Sequence, residues 1–190
     1  CYINGTFMVF DNCVFSRRFE ITSGQNIRIA NCRFDYDIDT DGATDVCFDR
    51  CYFNVNFPSI QDARTFGYWT NILNSEFLIG YDNYLAFSGY NTLSGNRFIF
   101  YPSSTAVEKI QLNGGRSRMV NNYLQPGNPY DNQVIIASNA GRNIIQGNVV
   151  DSVDASYSVT IIQHISNDAV IADNTIEASV PGANGKAVAV

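Results

Sequence analysis

The stretch from Phe34 to Asp45, FDYDIDTDGATD, carries five aspartates in twelve residues. Carboxylates at that density suit two kinds of chemistry. The first is metal binding. Asp37, Asp39, Asp41 and Gly42 match positions one, three, five and six of a calcium loop, where oxygens converge on a hard cation and glycine makes the turn. Position twelve is Phe48 rather than a bidentate Glu, and no helical period flanks the stretch, which excludes an EF-hand. Calcium near Asp37, Asp39 and Asp41 would need another geometry, drawing on Asp45 or Asp49. The second is acid–base catalysis. With Phe19, Ile21, Tyr36 and Ile38 inward, strand alternation turns Glu20, Asp35, Asp37 and Asp39 outward. Glu20 and Asp37 on neighbouring strands would lie near the roughly 5 Å carboxylate separation of retaining glycosidases. Crowding raises the pKa of one carboxyl, as a general acid needs. Glu20, Asp37 and Asp39 are the catalytic candidates; a solvated acidic face is the structural alternative.

What would position these residues is a repeat. One phrase recurs along the chain as FDNCVF, IANCRF, FDRCYF, ILNSEF, LSGNRF, MVNNYL, IQGNVV and IADNTI. Its fourth positions are Cys13, Cys32, Cys51, Ser75, Asn96, Asn122, Asn148 and Asn174, separated by 19, 19, 24, 21, 26, 26 and 26 residues. Apolar residues at the first and sixth places, with small polar ones between, describe a strand, a sharp bend and another strand. The runs FEI, YLAF, EKIQL, QVIIA and SVTIIQ lie between copies, so each repeat supplies about three short strands. A unit this short cannot bury its apolar face alone, and successive units must coil and stack about 4.8 Å apart. The expected fold is all-β: a parallel β-helix of about eight coils, three strands per coil, forming one domain over residues 1–190.

On this repeat the chain resembles the right-handed parallel β-helix proteins of the pectin-lyase-like group, which include pectate lyases, polygalacturonases and phage tailspikes. Their stacked Asn ladder, at the bend between second and third strands, is similar to the series Asn96, Asn122, Asn148 and Asn174, with Cys and Ser in the earlier turns. The resemblance covers nearly the whole chain. It implies a right-handed coil and, in its tailspike and tail-fibre members, recognition and cleavage of a bacterial surface polysaccharide. The ladder residues themselves read as structural, because polar side chains at a repeated bend bond to backbone and to one another.

Loops of such a solenoid can lengthen without disturbing its core. Asn54–Trp69, Phe77–Tyr84, Ile99–Ala106 and Gln125–Asn132 are the long excursions, and they fall at equivalent places. They carry Tyr68, Trp69, Tyr81, Tyr84, Tyr101 and Tyr130, whose faces suit sugar rings and whose polar tips suit hydroxyls. Arg64 and Asp82 join Tyr68, Trp69, Tyr81, Tyr84 and Tyr101 as substrate-binding candidates, with Asp62 a further acid. A lyase resembling pectate lyase would want calcium and a basic residue; Arg64, Lys109 and Arg116 are available, without a family motif around them. The single histidine, His164, lies in an apolar strand and reads as a packed or surface residue.

Composition narrows the partners. Net charge is -6 and the 12 Lys and Arg are scattered, which argues against nucleic acid while leaving room for a local basic groove holding an anionic sugar. No apolar run reaches the roughly 18 residues that span a bilayer, so membrane insertion is not expected. Five cysteines without metal-ligand spacing suit free thiols and folding in a reducing host cytoplasm. The chain starts at Cys1 inside the pattern and reads as a piece of a longer protein. Ile135 with Ile136, and Ile161 with Ile162, place apolar residues on both faces of their strands if alternation holds. That asks for a cover, from a further segment, an adjacent domain or a sister subunit, the last of which a homotrimer provides. The leading expectation is a trimeric, tailspike-like module in a virion tail, binding and depolymerising a polysaccharide. The alternatives are a secreted monomeric lyase or hydrolase and a non-catalytic structural or adhesive shaft.

Overall fold

The computed structural model describes residues 1–55, 63–80, 83–101, 108–127, 133–153, 159–178 and 186–189. Among them there is no helix, and the strands form three parallel sheets of ten, eight and six, the first two beginning in the first coil and the third at Ala63–Phe66. We call them A, B and C. The chain visits them cyclically: Asn71–Leu73 lies in A, Glu76–Ile79 in B and Tyr84–Phe87 in C, then Thr92–Ser94 returns to A beside Asn71–Leu73. This is the three-sheet parallel β-helix anticipated from the repeat. No helix among the described residues is long and apolar enough to cross a membrane.

Each place of the repeated phrase has a physical counterpart. The sixth residues form one column in sheet B, Phe15, Phe34, Phe53, Phe77, Phe98, Leu124, Val150 and Ile176. Its five phenylalanine rings stack inside the coil with centroids 5.0, 5.0, 4.3 and 5.0 Å apart and planes within 16° of parallel. The third residues make the bend. Asn12, Asn31, Arg50, Asn74, Asn121 and Asp173 all have φ between 49° and 55°, and Gly95 and Gly147 have 67° and 66°. That left-handed region suits Asn, Asp and Gly, which explains the small polar third place.

The fourth residues form the ladder. Asn148 Oδ1 accepts from Asn122 N (3.0 Å) and Nδ2 (2.9 Å), while Asn148 Nδ2 donates to Met119 O (2.9 Å) and Asn174 Oδ1 (2.9 Å). Ser75 and the cysteines occupy the same slot with fewer bonds: Cys51 N donates to Ser75 Oγ (3.0 Å) and Cys13 N to Cys32 Sγ (3.4 Å). All five thiols are free. Burial raises those of Cys32 and Cys47 and pushes Cys51 up to about 12.

Two alternation arguments fail, one at a corner between strands and one at a break in the pairing within a strand. Residues 35–37 lie between the strands Arg33–Phe34 and Ile38–Asp39, so period two does not run through them. Ile38 is buried, but Tyr36 is 39% exposed rather than inward. In sheet C the ladder pairs Val134 with Thr160 and Ile136 with Ile162 but skips Ile135 and Ile161 between them. At that break adjacent residues both enter the core: Ile135, Ile136, Ile161 and Ile162 are buried in one cluster. The apolar pairs are covered by their own chain, so they carry no argument for a sister subunit.

Candidate functional site

The acidic candidates come first. Register pairs Glu20 with Asp39, not with Asp37. Both carboxylates share Arg18, with Nε 3.1 Å from Glu20 Oε2 and Nη2 3.8 Å from Asp39 Oδ2. Asp39 Oδ1 also accepts from Asp41 N (3.0 Å) and Thr65 Oγ1 (3.3 Å), and Asp41 Oδ1 accepts from Ser88 Oγ (2.8 Å). These groups tie adjacent coils together. Among the described residues no three carboxylate, His or Cys side chains converge as metal ligands, those of Asp37, Asp39 and Asp41 included. His164 is buried: its Nδ1 lies 2.9 Å from Ser138 Oγ, in line with Phe66, Phe87 and Leu112. Lys109 is likewise fully buried, with Nζ 3.4 Å from Asn83 O, which removes it from the accessible bases.

The aromatic candidates divide. Tyr81 and Asp82 fall outside the described residues, as do Asp62 and Tyr130, and of Arg64 only its strand, Ala63–Phe66, is described. The long excursions all join a sheet B strand to a sheet C strand in sequence. Tyr101 is exposed just after the B strand Arg97–Phe100, and Tyr84 is half-buried in the C strand Tyr84–Phe87. Tyr68 and Trp69 do not belong to that junction. They form the next bend, between Ala63–Phe66 of sheet C and Asn71–Leu73 of sheet A.

This second bend repeats as regularly as the first. Extending the sheet A register back from Asn71, Thr92, Arg118 and Ile144 aligns Asp45, Trp69, Tyr90, Arg116, Arg142 and Asp168 in one column. Every one has φ between 54° and 63°. Trp69 N donates to Gly89 O (3.1 Å), Tyr90 N to Gly115 O (3.1 Å) and Arg116 N to Gly141 O (3.3 Å), so backbone bonding continues around the corner. The approach is close: a Cβ on Gly115 would lie 2.7 Å from Gly141 O. Behind the column runs a second ladder, in which Thr70 N donates to Asn91 Oδ1 (2.7 Å), Asn91 N to Ser117 Oγ (3.4 Å) and Ser117 N to Asn143 Oδ1 (2.9 Å).

Asp45 and Asp168 are the residue types such a position favours. Trp69, Tyr90, Arg116 and Arg142 are not, since a bulky L-residue in this region costs about 1–2 kcal/mol. Their side chains project outward as a ridge. Trp69 is 52% and Tyr90 41% exposed, with centroids 5.6 Å apart and planes at 49°. The Arg116 guanidinium lies 5.5 Å from the Tyr90 centroid, and Tyr68, 48% exposed, flanks Trp69. Exposed aromatic faces with a polar edge and adjacent cations have the chemistry to stack on a ring face and to meet an anion.

Tyr90, Arg116 and Arg142 were not among the binding candidates. Their signal was nevertheless in the sequence: each column member stands six residues before a ladder residue, as Trp69 before Ser75, Tyr90 before Asn96, Arg116 before Asn122 and Arg142 before Asn148. No family model matches this chain, and no curated protein or solved structure matches it.

Proposed function

We propose that this β-helix is a polysaccharide-recognition module of the tailspike kind, which binds its glycan along the ridge of Trp69 and Tyr90. The observation that supports this is a pair of exposed aromatic rings on successive rungs, held where their backbone conformation is unfavourable. Strain of that sort persists where a side chain is needed in one place. A sugar ring lays its apolar face on such a surface while its hydroxyls reach the phenol of Tyr90 and the indole N–H of Trp69. On this reading the module acts in a virion tail, and sedimentation distinguishes a trimer from a single chain.

The test is titration of a panel of bacterial surface polysaccharides, followed by the fluorescence of the single tryptophan and by affinity electrophoresis. Binding by the parent protein that is lost in Trp69→Ala and Tyr90→Ala supports the reading. Absence of binding to every glycan removes it. A depolymerase is the second reading, supported by the register of Glu20 beside Asp39. Release of reducing ends that vanishes in Glu20→Gln would establish it, and intact polymer after prolonged incubation would dismiss it.

A further inference from the structure

The ridge is not uniform along its length. Trp69 and Tyr90 occupy two rungs, and Arg116 and Arg142 the next two. Arg118, two residues beyond Arg116, borders a surface groove of about 360 Å³. Four arginines elsewhere hold acids, Arg18 with Glu20, Arg33 with Asp35, Arg50 with Asp49 and Arg97 with Glu76, while Arg17 and Arg28 pair with none among the described residues. Among the described residues Arg116, Arg118 and Arg142 form no ion pair, and Arg142 makes none with Asp168 on the following rung. All three are exposed. Like charges opposite one another on neighbouring strands repel. In a chain of net charge -6, an acid could have occupied either rung. Instead two left-handed positions carry arginine, whose planar fork matches carboxylate, sulfate and phosphate groups.

We infer that the ligand is an acidic heteropolysaccharide lying along the solenoid axis, with a neutral sugar on Trp69 and Tyr90 and an anionic residue on Arg116 and Arg142. This rests on the saccharide reading above and adds charge, direction and polarity. The direction follows from the spacing, because the column advances about 4.8 Å per rung along the axis. Arg116 serves both halves, since its guanidinium already lies over the Tyr90 ring.

The experiment uses a printed array of bacterial polysaccharides, each carboxylate-bearing one beside its carboxyl-reduced form, probed with the parent chain, Arg116→Gln/Arg142→Gln and Trp69→Ala. Retention confined to acidic members is expected, weakened about tenfold or more in the double arginine variant. It should fall as salt rises from 50 to about 500 mM, because screening shortens the reach of exposed charges. Equal retention of the carboxyl-reduced forms, or unchanged binding by the double variant, overturns the inference and leaves saccharide recognition standing. An array on which nothing is retained overturns both. Circular dichroism of each variant establishes that the fold is intact.

Discussion

Trp69 and Tyr90 stand on adjacent rungs with ring centroids 5.6 Å apart, and both backbones have left-handed φ, 54° and 55°. Neither residue type favours that conformation, whereas Asp45 and Asp168 in the same column do. The ridge therefore trades stability for surface chemistry, and the trade can be measured. Replacing Arg142, which has φ 63° and a second arginine on the preceding rung, by Asn relieves both penalties. Arg142→Asn is expected to raise the unfolding free energy by about 1 kcal/mol in urea titrations. A loss of stability would show that Arg142 is held by interactions rather than merely tolerated.

The Asn ladder should behave oppositely. Asn122 Oδ1 accepts from Asn96 N (2.9 Å), and its Nδ2 donates to Leu93 O (2.9 Å), both buried. Asn122→Ala strands both groups and is expected to cost about 2–5 kcal/mol. Asn174, half-buried at the last ladder rung, should cost less when replaced by Ala. Equal losses at the two positions would contradict a ladder whose value depends on burial.

The thiol of Cys51, pushed up to about 12 by burial, links stability to alkaline pH. Its folded pKa lies above the unfolded value near 9, so its stabilising effect is complete below pH 9. That effect is lost as pH rises from 9 towards 12, where the unfolded chain ionises first. Cys51→Ser should flatten this decline, because Ser75 already fills the same slot with a hydroxyl donating to Leu73 O at 2.8 Å. At pH 8, iodoacetamide should modify exposed Cys1 before Cys32 and Cys51, as peptide mapping would reveal.

Asp39 serves as a tie between coils in this structure, through Arg18, Thr65 and the Asp41 N–H. Asp39→Asn keeps an acceptor oxygen and loses only a half-exposed ion pair. A decrease of about 1 kcal/mol or less in unfolding free energy is expected, with glycan retention unchanged. Loss of retention in this variant would move the binding surface from the ridge to the paired carboxylates of Glu20 and Asp39.

The coil was legible because every turn must solve the same problem. One residue has to reverse the chain, one has to satisfy buried backbone groups at the bend, and one has to fill the core. Those three demands recur in FDNCVF through IADNTI as a left-handed residue, Asn or Gly in six of eight turns, as the Cys, Ser and Asn ladder, and as an apolar column that begins with five Phe. Side-chain direction at such breaks was not legible. Tyr36 sits at a corner between strands and Ile135 at a gap in the ladder within Gln133–Ser138, and alternation holds only while the ladder is unbroken. The ridge lay in the sequence at a constant offset of six, yet Trp69, Tyr90, Arg116 and Arg142 share no residue type that would mark them as equivalent. A sequence repeats what packing and hydrogen bonding demand of every rung. Solvent-facing positions bear no such demand, so only the stacking of coils shows which of them become neighbours.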